Sequence, residues 1–261
     1  ARAGLGSLRW DDRGVGGSDG DLREADLSDL VADARAAATF LAGHPDVDPE
    51  RIAVLGHSEG GLVAPRLAQG EPPEVAALVL LAAPAVSGLE VLELQNRLVL
   101  GGQGASEERI AQQIGFVRAL ADALEAGDEA EARRLVREQV AVALDALPEG
   151  QAPTGEAREA FIEQRVTANT SPVFASFVLV EPQPVLQGVA VPTLALYARQ
   201  DVQVPAVQNE GAMRAALRIA GVEDATVETL AGLNHLFQPA PTGALAEYGE
   251  IETTLAPAAL E

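Results

Sequence analysis

Apolar and polar positions alternate along the chain with two different periods. Over 27–41, Leu27, Leu30, Val31, Ala34, Ala38 and Leu41 recur at helical spacing behind Asp26, a residue suited to an N-cap, until Gly43 and Pro45 stop the run. Short apolar stretches over 5–10, 51–55, 75–83, 191–197 and 225–230 have the length of buried strands. A glycine-rich turn over 56–61 opens a short helix over 61–69, and a further helical pattern runs over 207–219. Strand and helix thus alternate, which predicts a mainly parallel sheet with helices on both faces.

Between 87 and 187 the pattern changes. Helical spacing dominates over 90–100, 106–125, 128–147 and 156–167, in segments rich in Ala, Glu and Arg. A structureless loop of that length is uncommon, so the stretch reads as a helical insertion. The sheet core is then discontinuous, 1–86 and 188–261. The insertion is either a solvated bundle without chemistry or, the reading favoured, a cap over the site.

Composition narrows the function classes. The 261 residues are 48% hydrophobic, enough for a substantial core, and contain no cysteine, which removes thiol nucleophiles, cysteine-metal sites and disulfides. A formal net charge of −21 disfavours phosphate backbones and anionic membranes as partners, so no nucleic acid partner is expected. No apolar run reaches the ~20 residues of a membrane span. Asp11, Asp12, Asp19 and Asp21 do not have the spacing of a calcium loop, and there is no phosphate loop or dinucleotide fingerprint. No metal and no cofactor are expected.

The candidate chemistry centres on Gly56-His57-Ser58-Glu59-Gly60. The pattern G-x-S-x-G is weak alone, but here it follows an apolar strand and opens a helix, the setting that presents a nucleophilic serine on a sharp turn. Gly56 and Gly60 are expected to make room for that turn. Serine needs a base within reach and a group that orients the base. Of three histidines, His57 is adjacent to Ser58 and reads as a packing residue. His44 lies before the strand carrying Ser58, nearly ~20 Å away at ~3.3 Å per residue. His235, directly after the last strand, remains as general base. Asp201 follows the 193–197 strand at the same carboxyl edge, whereas Asp224 precedes its strand and Asp122, Asp128 and Asp145 fall in the insertion. The backbone N–H of Glu59, at a helix start, is the natural first oxyanion donor. In the Asp11 to Ser18 loop, Asp12 and Arg13 are expected to tie the turn rather than line a pocket.

Four stretches together resemble bacterial α/β-hydrolases of the esterase and serine aminopeptidase-like kind: Trp10 to Ser18, Gly56 to Gly61, Asp201-Val202-Gln203-Val204-Pro205, and Leu233-Asn234-His235-Leu236-Phe237-Gln238. The resemblance implies an α/β-hydrolase fold, a Ser58, Asp201, His235 triad, and a cap between the sixth and seventh strands of the complete fold. It also implies three earlier strands and a His-Gly type oxyanion loop ahead of residue 1, and a closing helix after Glu261. Hydrolysis of a small-molecule carboxylic ester is the leading expectation. A peptidase or amidase, and a non-catalytic binding module, stay open as alternatives.

Overall fold

A computed structural model describes residues 4–70 and 73–260; the outermost residues of the expected core segments, 1–3 and 261, lie outside it. Four strands form one parallel sheet in the order β1 (Ala53–His57), β2 (Ala77–Leu81), β3 (Thr193–Ala198), β4 (Ala225–Leu230). Helix α1 (Leu27–Ala42) precedes β1, α2 (Gly60–Leu67) links β1 to β2, and α9 (Ala206–Ala220) links β3 to β4. Between β2 and β3 run α3 (Gly88–Gly102), α4 (Glu107–Glu125), α5 (Glu129–Asp145), α6 (Gly155–Asn169), α7 (Pro172–Val178) and α8 (Gln183–Leu186).

Local chemistry sets the helix boundaries. Asp26 caps α1 with a reciprocal box: its carboxylate accepts from Ser28 and Asp29 N–H, and Asp29 accepts from Asp26 N–H. Ser87 and Glu90 do the same for α3. Gly221, at φ 76°, ends α9 in the left-handed conformation that glycine adopts without a Cβ penalty.

At β3 both faces of the sheet are covered. On β3, Ala195 and Tyr197 join the main core with Leu78, Leu80, Leu62, Leu67, Val31 and Met213, while Leu196 and Ala198 point to a second cluster with Val204, Leu233 and Phe237. That two-residue alternation, apolar on both sides, is why the strand reads as a continuous apolar run. Helices α4, α5 and α6 close on a third core of their own, around Leu120, Ala132, Val136, Ile162 and Val166. Val180 and Leu186, by contrast, pack into the main core, so the last part of the 87–187 segment belongs to the sheet's packing. No helix of the described residues is long and apolar enough to cross a membrane.

One expectation is corrected here. The apolar run 5–10 forms no strand: Leu5 is 70% exposed and Trp10 50%, and among the described residues the run joins no ladder. An apolar stretch without a hydrogen-bonding neighbour gains nothing by extending. Near its end the described chain forms a single 3-10 turn, Pro257–Ala259.

Candidate active site

Ser58 follows β1 directly, at φ 55°, one of three non-glycine residues with positive φ in the described chain. Its N–H donates to the Leu81 carbonyl, extending the β1–β2 ladder, while its carbonyl accepts from Gly61 N–H and Glu59's from Leu62 N–H, starting α2. The chain thus turns from strand into helix within one strained residue, and the half-buried hydroxyl is held at the carboxyl edge of the sheet. Backbone closeness enforces the glycines. A Cβ on Gly56 would stand 2.5 Å from the Gly60 carbonyl carbon, and one on Gly61 2.7 Å from Ala83 Cα. A Cβ on Gly60 would meet nothing within 4 Å. The steric demand expected of Gly60 therefore rests on Gly61 instead, because Gly60 contributes only its backbone to the close approach.

Asp201 and His235 emerge from β3 and β4 at the same edge and form a buried pair, His235 Nδ1 donating to Asp201 Oδ2 at 2.7 Å. The other carboxylate oxygen, Oδ1, accepts from the N–H groups of Gln203 (2.7 Å) and Val204 (2.9 Å), so Asp201 is fixed by backbone before it meets the histidine. With Nδ1–H committed to Asp201, the neutral ring presents Nε2 as an acceptor. The structure brings Asp201 and His235 into contact and puts Ser58 on the same edge; no hydrogen bond joins Ser58 Oγ to His235 among the described residues. Such bonds are commonly loose before substrate is present.

The loop holding His235 is built around Asn234, which is fully buried. Its Oδ1 accepts from Leu236 and Gln238 N–H, each at 3.0 Å, and its Nδ2 donates to Gln238 Oε1 at 3.0 Å. Phe237, buried at φ 56°, folds back beneath. His57 does more than pack: its Nε2 donates to the His235 carbonyl at 2.8 Å, and the two rings lie 4.7 Å apart at 46°. Burial lowers the His57 pKa, opposed in part by the hydrogen bond to the His235 carbonyl. Tyr248 accepts from Gln203 Nε2 at 3.1 Å, and burial raises its phenol.

The remaining candidates fall away from this cluster. His44 is exposed in the turn after α1 and accepts Asp46 N–H. Asp224 sits at the amino edge, where its carbonyl accepts Thr193 N–H. Asp128 caps α5, Asp145 pairs with Arg158, and Asp122 lies within α4. Glu59 is the N-cap of α2, and its carboxyl is pushed up by burial, with Asp12 adding to the rise.

The 11–18 loop is tied differently from expectation. The carboxylate that closes it is that of Asp11, which accepts Gly17 N–H while its carbonyl accepts Ser18 Oγ; Asp12 contributes its carbonyl, to Val15 N–H. Arg13 leaves the turn to clamp Asp33 on α1 in a bidentate pair at 2.6 and 2.9 Å. Asp12, with Trp10, Glu59 and Ser58, lines a cavity of about 330 Å³. Sequence reading passed over Asn234, Gln203 and the polar role of His57. The Asn234-His235 pair and the Asp201-Val202-Gln203 turn carried the only signal, since Asn and Asp favour turns closed by their own side chains.

The parallel sheet, the strand-turn-helix elbow at Ser58 and the acid and histidine following later strands make this an α/β-hydrolase fold, as the resemblance implied. Residues 1–106 match the model of the family described as serine aminopeptidase, S33. The chain is similar to an uncharacterized protein of Mycobacterium tuberculosis, 52% identical over 77 residues that make up 30% of this chain and 26% of that one. It is also similar to a polyketide transferase of Stachybotrys chlorohalonatus, 42% identical over 64 residues, 24% of this chain and 22% of the relative. The chain spans about a quarter of the length of the curated relatives it matches. Among solved structures it is similar to an esterase from Thermogutta terrifontis, at 18% identity over 85% of this chain and 70% of that one with a TM-score of 0.44.

Proposed function

We propose that the chain is a serine hydrolase that cleaves carboxylic esters through an acyl-enzyme on Ser58, with His235 as general base and Asp201 as the group that orients it. The observation that carries this reading is the strained elbow at Ser58 on the same sheet edge as the buried Asp201–His235 pair. His235 Nε2 takes the hydroxyl proton as Oγ attacks the ester carbonyl carbon. The tetrahedral oxyanion collapses, and the departing alkoxide receives that proton from the imidazolium. Water then enters, gives a proton to His235, attacks the acyl carbon and releases the carboxylic acid, with Oγ recovering its proton.

Asp201, held by two backbone N–H groups, stabilises the imidazolium and selects the tautomer with Nε2 bare. Glu59 N–H, at the start of α2, serves the oxyanion with the helix dipole behind it. In this reading the core comprises 1–86 and 188–261, and 87–187 forms the cap, its last part seated on the main core through Val180 and Leu186. A small uncharged ester suits a chain of net charge −21 better than a polyanionic one.

The serine aminopeptidase description of the matching family favours a second reading, hydrolysis of a peptide or amide bond. Expulsion of an amine requires its protonation by the His235 imidazolium before the intermediate collapses. Turnover of p-nitrophenyl butyrate compared with aminoacyl p-nitroanilides decides between them. Faster ester turnover, abolished in Ser58→Ala, is the expected result; faster anilide turnover overturns the ester reading in favour of the second.

A further inference from the structure

The base of a triad needs three things fixed: its tautomer, the direction of its ring and the distance from its Nε2 to the nucleophile. Asp201 supplies the first two through Nδ1. It lies on the β3 side of His235 and sets no distance to Ser58, which sits beyond β2 on β1. A separate contact spans that gap. His57, the last residue of β1 and the covalent neighbour of Ser58, donates from Nε2 to the backbone carbonyl of His235, 178 positions along the chain.

The chemistry of that bond is determined. A carbonyl oxygen only accepts, so the proton is on His57 Nε2. Desolvation keeps the half-buried ring neutral by lowering its pKa, which leaves Nδ1 bare and makes His57 a fixed single donor. Its ring also stands 4.7 Å from the His235 ring and meets Phe237 edge-on at 6.4 Å and 73°. The backbone of His235 is therefore pinned from the Ser58 side, and its ring is walled by the same residue.

Resting on the hydrolase reading above, we propose that His57 is a positioning residue: its Nε2–H bond to the His235 carbonyl sets the separation between the Ser58 hydroxyl and the His235 imidazole. Its ring makes one side-chain hydrogen bond among the described residues, to that carbonyl, and none to Ser58 Oγ. Misplacement of a catalytic group by about 1 Å costs on the order of 100-fold in rate, and an unpinned loop end moves by that scale.

Two variants separate a donor from a filler. His57→Gln keeps an N–H donor on a side chain of similar reach, and His57→Phe keeps the ring and its contacts without the donor. With p-nitrophenyl butyrate, His57→Phe is expected to lower kcat about 10- to 100-fold with KM within about twofold, and His57→Gln to recover most of that loss. A filler role predicts the opposite order, Phe near wild type and Gln impaired, and that result overturns the proposal, as does an equal loss in both. Imidazole ¹⁵N spectra give a reading independent of turnover. The His235 ring signals are expected sharp in wild type and His57→Gln but broadened or doubled in His57→Phe; identical sharp signals in all three overturn the positioning role. If wild type shows the expected His235 behaviour yet turns over neither esters nor anilides, the hydrolase reading fails while the positioning contact stands.

Discussion

Truncating Asn234 to alanine removes the support of the histidine loop without touching Asp201, His235 or Ser58. Two backbone donors lose their acceptor: Gln238 N–H, which is buried, and Leu236 N–H, which belongs to a residue 41% exposed. A buried donor left unpaired costs about 1–3 kcal/mol, and one that water reaches costs less. Gln238 Oε1 also loses the amide that satisfies it. Together these give about 3 kcal/mol of destabilisation. With a urea m value near ~3 kcal/mol/M for a chain of this size, the midpoint falls by about 1 M. Phe237 is held at φ 56°, where a non-glycine residue carries about 1–2 kcal/mol of strain; once Asn234 is gone it relaxes and carries His235 with it. Urea titration and ester turnover, measured on the same preparations, should therefore fall together in Asn234→Ala. Asn234→Asp keeps both acceptor contacts but sets a carboxylate against Gln238 Oε1, so it should regain stability as acid protonates it and restores a donor. A loss below about 1 kcal/mol in Asn234→Ala, or full activity in a clearly destabilised variant, would refute this account of the loop.

Three further outcomes follow from the elbow. Gly60→Ala should be neutral or slightly stabilising, since its Cβ enters open space, whereas Gly61→Ala should cost about 1–3 kcal/mol by overpacking against Ala83; equal thermal shifts in the two would contradict the steric assignment. Gly56→Ala meets backbone rather than a movable side chain, so it should abolish activity even in protein that still folds by circular dichroism. Glu59→Gln should raise Tm at pH 7–8. Burial and Asp12 hold the Glu59 pKa above its unfolded value, so its stability contribution is complete below the unfolded pKa and is lost as pH rises through the folded one. The gap between variant and wild type should close toward pH 4, and a gap independent of pH would contradict the burial cause.

How much of this was legible in the sequence depended on which interaction placed each group. Helix α1 was readable because Asp26 and the Leu27, Leu30, Val31 spacing act locally, and β3 because both of its faces are buried, which leaves an unbroken apolar run. Strand β1 was displaced by two residues from its expected 51–55, since the ladder to Ala77–Leu81 continues through Gly56 and His57, residues whose composition signals a turn. Asp201 and His235 were selected by setting aside the other histidines and acids and by strand order, because a parallel sheet puts every carboxyl end of a strand on one edge. The contacts that were missed are those between distant segments: Arg13 to Asp33 across a turn, His57 to the His235 carbonyl across the sheet, and the Cβ-excluding approach of Gly61 to Ala83. Pattern along the chain encodes burial and turns; it does not encode which carbonyl a given ring nitrogen will meet.

The central claim, that Ser58 is a nucleophile activated by His235, is tested most directly by covalent capture. The folded chain is incubated with a fluorophosphonate and read by intact-mass and peptide mass spectrometry. The account predicts one stoichiometric adduct on Ser58, absent in Ser58→Ala and formed far more slowly in His235→Ala. A folded wild-type chain that takes no adduct, or an adduct that survives in Ser58→Ala, would contradict it.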